Sequence, residues 1–278
     1  MSELFRGMDR TALRAAYDNV AAVEDVAERM LGFQARSAAL YESVPCRRDI
    51  AYGPRPRQRF DWLPCGKPDT PIFVFIHGGY WQARSKEDFA FVASGPLACG
   101  FNVVLAEYTL APEASMTEIV GEIEALLAAL ADDRDGLGTR APICLAGHSA
   151  GGQLSAHFRE HEALVHAMPI SALVDLEPIA MSWLNDKLQL TPLEIDAYSP
   201  MRHIGRGVPM TISVGTAELP ELIRHSEEYA AACRQAGERV EFVPLPGCNH
   251  FTILEDLARP DGLQLRALVT AMNMQRAG

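Results

Sequence analysis

Along the chain the apolar residues fall into short unbroken runs, separated by longer stretches where they recur every third or fourth position. The runs Ile72–Ile76, Asn102–Ala106, Ile143–Ala146, Met210–Val214 and Val240–Leu245 have the length and composition of strands buried on both faces, and Met168–Ser171 is a shorter one. Between them, Lys86–Ala98, Met116–Leu130, Gly151–His161, Glu221–Ala236 and Leu263–Met274 carry helical spacing. This alternation predicts a mainly parallel sheet covered by helices on both faces. Upstream, Leu13, Tyr17, Val20, Val23, Val26 and Met30 predict one helix over Thr11–Met30. Arg48–Tyr52 and Gln58–Leu63, punctuated by Gly53, Pro54 and Pro56, predict two further strands. The rhythm breaks over Asp175–Ile204, where Trp183, Asn185, Pro192 and Pro200 predict helical excursions over one sheet edge, the natural place for a substrate cap. With no repeat, linker or Gly/Ser-rich hinge, residues 1–278 read as a single domain, in which an N-terminal helix (about 9–40) and the insertion (about 175–205) serve as cap elements.

Composition narrows the class of protein without naming a function. A hydrophobic fraction of 48% supplies ample core and excludes disorder as the dominant state. The formal charge of −11 repels phosphate backbones and anionic lipid, so the expected partner is a small-molecule substrate, with no nucleic acid and no membrane, and a homodimer as the expected assembly if there is one. No apolar run reaches the ~18 residues of a membrane span. The first ten residues carry charges where a secretory leader needs its apolar core, and the six scattered cysteines form no C-x-x-C pair. Both point to a cytoplasmic protein with reduced thiols. No His/Cys/Asp cluster has metal-ligand spacing, so neither metal nor cofactor is expected. A dinucleotide-binding oxidoreductase would share the strand–helix alternation, but no G-x-G-x-x-G follows the first strands.

The most specific local signal is Gly147-His148-Ser149-Ala150-Gly151, between a predicted strand and a predicted helix. There a serine hydroxyl is thrust out of the sheet through a tight turn, and small residues two before and two after it let neighbouring backbone approach. The following helix N-terminus offers free N–H groups to a developing oxyanion. A second signal, His77-Gly78-Gly79-Tyr80-Trp81, follows the strand Ile72–Ile76. Its successive glycines let backbone N–H groups face a cavity, and the predicted oxyanion donors are the N–H groups of Gly79, Tyr80 and Ala150. A general base must rise from the same sheet edge, and His250, just after Val240–Leu245, is placed to do so. His157, His161, His166 and His225 fall in helical or connecting segments and read as packing or solvent residues, whereas His203 lies in the cap. The acid that orients the base is expected at Glu218, after the strand Met210–Val214, with Asp175 and Glu221 as competitors. The order Ser149, Glu218, His250 matches the Ser…Asp/Glu…His order of one hydrolase fold.

These residues resemble the α/β-hydrolase superfamily, and within it H-G-G-x-W resembles the kynurenine formamidase (arylformamidase) and carboxylesterase group. Glu107-Tyr108-Thr109-Leu110-Ala111-Pro112-Glu113 is similar to the Y-R-L-A-P-E segment of hormone-sensitive-lipase-like esterases. Val174–Ile179, Leu184-Asn185-Asp186 and Tyr198-Ser199-Pro200 resemble the formamidase cap, and Gly215 to Glu221 looks like its acid segment with Glu218 in place of the more usual Asp. The resemblance spans about residues 70–275 and implies an α/β-hydrolase fold. It also implies acyl transfer to water through an acyl-enzyme, on a small aryl formamide or aryl amide of the N-formylkynurenine kind. Trp81 and Trp183 would wall an aryl group beside Tyr80, with Asn185 as a polar contact. Arg84, Arg202 or Lys187 could anchor a carboxylate. Two rival readings stand beside this one: a carboxylesterase or thioesterase for short acyl chains, and a non-catalytic receptor on a hydrolase scaffold.

Overall fold

The five residues of Ile72–Ile76 are all buried, yet they serve two different cores. Ile72, Val74 and Ile76 join one apolar cluster, and Phe73 and Phe75 join another on the opposite face. Val104 and Ala106 against Val103 and Leu105 divide in the same way. A strand wedged between two helical layers must be apolar on both faces, which is why the runs are unbroken. In this computed structural model, which describes residues 5–67, 70–205 and 207–277, the strands form one eight-stranded sheet. They are β1 (Arg47–Ala51), β2 (Arg59–Leu63), β3 (Ile72–Ile76), β4 (Asn102–Ala106), β5 (Ile143–His148), β6 (Leu164–Ile170), β7 (Met210–Gly215) and β8 (Val240–Leu245). Their order is β1-β2-β4-β3-β5-β6-β7-β8, with β2 antiparallel to both of its neighbours and all pairs from β4 to β8 parallel. Parallel pairing sends the carboxyl ends of β3, β5, β7 and β8 to one edge, where the four loops singled out in the sequence emerge.

The covering helices follow the expected spacing. Met116–Ala131 begins at a reciprocal cap in which Ser115 accepts from the Glu118 N–H and Glu118 accepts from the Ser115 N–H, and it buries Ile119, Ile123, Leu126, Leu127 and Leu130. Pro220–Gln235 and Leu263–Ala277 cover the β7–β8 end of the sheet. The insertion after β6 forms short helical pieces, Glu177–Ala180, Asn185–Leu188, Pro192–Tyr198 and the 3-10 turn Pro200–Arg202. Two side-chain amides tie it down: Gln82 donates to the Leu184 carbonyl at 2.7 Å and Gln153 to that of Tyr198 at 2.8 Å.

Two predicted helices differ. The segment Thr11–Met30 is broken, with helices at Arg10–Tyr17 and Val26–Ser43. Asp18 caps a turn by accepting from the Ala21 N–H at 3.1 Å, and the Asn19 N–H that would have continued the helix donates to the Tyr80 hydroxyl at 3.0 Å. The periodicity of Val20, Val23 and Val26 thus runs across a turn. The stretch Lys86–Ala98 is a 3-10 helix (Lys86–Ala93) followed by a short α-helix (Ser94–Ala98), and the Phe91 N–H within it bonds Ser37 Oγ at 3.0 Å. The six cysteines are unpaired, and among the described residues no helix is long and apolar enough to cross a membrane.

Candidate active site

Ser149 sits between β5 and the helix Ala150–His157 with φ 57° and ψ −115°, a backbone conformation that non-glycine residues rarely adopt. The turn is tight enough to forbid side chains around it. A Cβ on Gly147 would lie 2.0 Å from the Gly151 carbonyl oxygen, and one on Gly151 would lie 2.1 Å from that of Ile76. The spacing of those glycines about the serine is therefore a matter of backbone contact.

His250 follows β8, and its Nδ1 lies 2.6 Å from Glu218 Oε2. A carboxylate only accepts, so Nδ1 carries the proton and Nε2 is left as an acceptor. The other carboxylate oxygen of Glu218 accepts from the Gly215 N–H at 2.8 Å and from Ser171 Oγ at 2.5 Å, which fixes the acid in one orientation. Ser149 and His250 line one cavity of about 130 Å³ with Asn19, Val20, Gly78, Gly79, Tyr80, Ala83, Arg84, Phe89, His148 and Phe251. Among the described residues Ser149 Oγ and His250 share the cavity without a hydrogen bond to each other. The His148 ring stands 4.5 Å from that of His250, and burial together with that neighbour holds its pKa well below the ordinary value. It therefore stays neutral beside His250.

The loop after β3 carries three consecutive residues at positive φ, Gly79 (121°), Tyr80 (55°) and Trp81 (58°). The Gly79 carbonyl accepts from the N–H groups of Gln82 and Ala83, both at 3.0 Å, while the N–H groups of Gly79, Tyr80 and Ala150 meet no acceptor among the described residues. A buried network supports the loop from below. Both ring nitrogens of His77 face oxygen acceptors, Gly78 O at 2.7 Å and Glu107 Oε1 at 2.9 Å. Glu107 also accepts from Arg57 at 2.6 Å and from the N–H groups of Tyr108 and Lys86. Burial pushes the Glu107 carboxyl up, but His77, Arg57 and the Tyr108 N–H outweigh it and hold it below the usual carboxylate range.

The other expected site residues are placed elsewhere. Trp81 is fully buried and donates Nε1–H to Gln153 at 3.1 Å, so it belongs to the core and not to the cavity wall. Trp183 stands edge-on to Tyr80 at 6.4 Å with the Arg14 guanidinium over its ring, outside the cavity lining. Asn185 is a structural residue of the cap, its Oδ1 accepting from the Leu190 N–H at 2.7 Å. Of the competing acids, Asp175 accepts from the Glu177 N–H and Glu221 is paired with Arg224 at 2.6 Å; neither meets His250. Lys187 lines a separate hollow of about 720 Å³ between the cap and the helix Met116–Ala131, and Arg202 is paired with Glu177 and Asp196. Sequence reasoning missed Asn19, Val20, Phe89 and Phe251 on the wall, Ser171 behind the acid and the Arg57–Glu107 pair behind His77. The positive φ at Tyr80, whose hydroxyl donates to the Tyr17 carbonyl at 2.8 Å, ties the wall to the N-terminal turn.

A serine in a strained turn after the fifth strand of this sheet, with a carboxylate and a histidine from loops after the last two strands, is the architecture of one superfamily. The chain belongs to the α/β-hydrolase superfamily, and a family model for the alpha/beta hydrolase fold matches residues 73–198. It is a hydrolase of formamidase- and esterase-like character. It is similar to the kynurenine formamidase of Danio rerio, 28% identical over 237 residues that cover 80% of each chain. The kynurenine formamidase of Salmo salar is 27% identical over 208 residues, covering 69% of this chain and 70% of that one. Among solved structures, a Silicibacter sp. TM1040 protein provisionally named a thioesterase is 31% identical, with a TM-score of 0.83 over 92% of this chain and 98% of that one. An esterase from Pyrobaculum calidifontis, 20% identical with a TM-score of 0.70 over 91% of this chain and 94% of that one, shares the fold.

Proposed function

We propose that the protein is a serine hydrolase that cleaves a small aryl formamide of the N-formylkynurenine kind through an acyl-enzyme. The observation that carries this reading is the 2.6 Å bond from Glu218 to His250, which lines the same cavity as Ser149. In this reading His250 Nε2 takes the Ser149 proton as Oγ attacks the acyl carbon, and Glu218 stabilises the imidazolium that forms. The N–H groups of Gly79, Tyr80 and Ala150 receive the oxyanion, each worth roughly 3–4 kcal/mol of transition-state stabilisation in such sites. The imidazolium then gives its proton to the leaving amine, and water, deprotonated by the same base, releases formate from Ser149. Tyr80, Phe89, Phe251 and Val20 supply an apolar wall for the aryl group. The similarity to two kynurenine formamidases supports the formamide substrate.

A second reading, a short-chain esterase or thioesterase, is favoured by the 31% identical relative named as a thioesterase and by the small cavity. Comparing kcat/KM for N-formylkynurenine and p-nitrophenyl acetate separates the two. The formamidase reading expects the formamide to be turned over well above background, and a formamide rate no faster than background removes it. Ser149→Ala is expected to abolish both activities and acyl labelling while keeping the fold; unchanged turnover would refute the mechanism.

A further inference from the structure

Ser171 directly follows β6, is fully buried, and lies outside the lining of the cavity that holds Ser149. Its φ of 48° falls in the left-handed region, where a side chain is costly and glycine is the ordinary choice. In that conformation its Oγ donates to Glu218 Oε1 at 2.5 Å. The serine is braced from its other side as well. Its N–H donates to the Ser213 carbonyl at 2.8 Å, and Ser213 Oγ donates to Gln264 Oε1 at 2.9 Å. Gln264 Nε2 in turn donates at 2.9 Å to the carbonyl of Ile253, in the segment just beyond His250. The hydroxyl therefore sits on a buried hydrogen-bonded frame that also carries the histidine.

We propose that Ser171 is a positioning residue of the hydrolytic reaction: its hydroxyl pins Oε1 of Glu218 so that Oε2 stays in line with His250 Nδ1. The inference rests on the hydrolase reading above and extends the machinery to a residue outside the cavity. A glutamate has one more rotatable bond than an aspartate, so its carboxylate swings more widely unless both oxygens are held. The Gly215 N–H and the Ser171 hydroxyl hold Oε1 and leave Oε2 to the histidine. Losing the hydroxyl has opposite consequences under two accounts. A hydroxyl that only draws charge from the carboxylate competes with His250, and its loss tightens the bond between Glu218 and His250. A hydroxyl that positions the carboxylate lets it turn when removed, and the same bond loosens. The proposal is the second account.

The test replaces Ser171 in two ways: Ser171→Ala removes the hydroxyl and keeps the backbone strain, and Ser171→Gly removes both. Each is expected to lower kcat for p-nitrophenyl acetate by roughly ten- to a hundredfold, the range for a hydrogen bond to a charged group, with KM little changed. The glycine variant is expected to have the higher Tm of the two, because only it relaxes the left-handed backbone. Activity that recovers in Ser171→Gly together with Tm makes the backbone the cause and overturns the proposal. In a Glu218→Ala background, adding Ser171→Ala is expected to change kcat by less than about twofold. A larger further loss shows the hydroxyl acting through another group and overturns it. Proton NMR reads the link without turnover. The His250 Nδ1–H, in a bond of 2.6 Å, is expected at low field in the wild type and displaced upfield in Ser171→Ala. A signal that is unmoved, moves downfield, or is missing from the wild type overturns the proposal. If the wild type hydrolyses neither ester nor formamide, the hydrolase reading fails, and the position of this proton still decides whether Ser171 holds the acid.

Discussion

Replacing Glu218 by Gln changes one atom and tests the whole arrangement of acid and base. Glu218 Oε1 accepts from the Gly215 N–H at 2.8 Å and from Ser171 Oγ at 2.5 Å, so that side must remain an oxygen acceptor. The backbone N–H of Gly215 can only donate, and the new amide NH2 is therefore driven to the other position, 2.6 Å from His250 Nδ1. There it must donate, which forces Nδ1 to accept and moves the ring proton to Nε2. In the proposed mechanism the imidazole then carries a proton where it needs a lone pair for Ser149, and the charge that would stabilise the imidazolium is lost with it. A triad carboxylate exchanged for its amide costs about 10⁴-fold in kcat, or about 5 kcal/mol at 1.36 kcal/mol per decade. The assay is kcat for ester and formamide hydrolysis, with near-native Tm as the control for folding. Glu218→Asp, which cannot reach all three partners after losing a methylene, is expected to fall between the wild type and the amide. If Glu218→Gln keeps activity within tenfold of wild type while Asp175→Asn loses it, the reasoning from these hydrogen bonds is wrong and the acid lies elsewhere.

Further outcomes follow from the same contacts. Gly147→Ala puts a Cβ 2.0 Å from the Gly151 carbonyl and is expected to destabilise by about 3 kcal/mol or more, whereas Gly121→Ala, in a helix with nothing within 4 Å, should stabilise by about 0.5–1 kcal/mol; equal urea midpoints for the two would refute the crowding argument. Glu107→Gln breaks the buried pair with Arg57 and His77 and is expected to cost about 3–5 kcal/mol and to lower kcat more than it raises KM, since it loosens the loop carrying Gly79 and Tyr80. Burial pushes His166 down to about 4, and burial with Arg224 and Arg6 nearby pushes His225 down to about 3, so both are neutral in the folded chain at pH 6. Their unfolded pKa is about 6.5, so their contribution is fully present above that pH and is lost as pH falls through the window toward 4, at up to about 1.4 kcal/mol per pH unit per histidine. Urea midpoints that stay flat from pH 7 to pH 5 would contradict this.

The sheet was legible because both of its faces are covered. β3 is apolar throughout and β4 and β5 are apolar but for Asn102 and His148 at their ends, and each contributes alternate residues to opposite cores, so no polar position interrupts the middle of the pattern. The elbow was legible for a different reason: Gly147 and Gly151 answer to contacts within a few residues of sequence and to one neighbouring strand. The pocket wall was not. Trp81 looked like an aryl contact, but the run of positive φ at Gly79, Tyr80 and Trp81 turns it into the core, and spacing carries no information about which way such a loop throws its side chains. Glu107 meets His77 and Arg57 meets Glu107 from separate loops, so no local motif connects them. The break at Asp18–Asp25 was hidden because Val20, Val23 and Val26 keep helical spacing through it; what decides it is the hydroxyl of Tyr80, a tertiary partner that intercepts the Asn19 N–H.

That interception ties an early segment of the chain to one synthesised some sixty residues later. Asn19 and Val20 leave the ribosome before any strand exists, yet they find their place only after the loop following β3 has been built and Tyr80 can receive them. Trimming the leading helix, or fusing a bulky partner onto it, should therefore leave the sheet intact and impair substrate selection. Libraries meant to alter specificity should include these early positions beside the obvious loops.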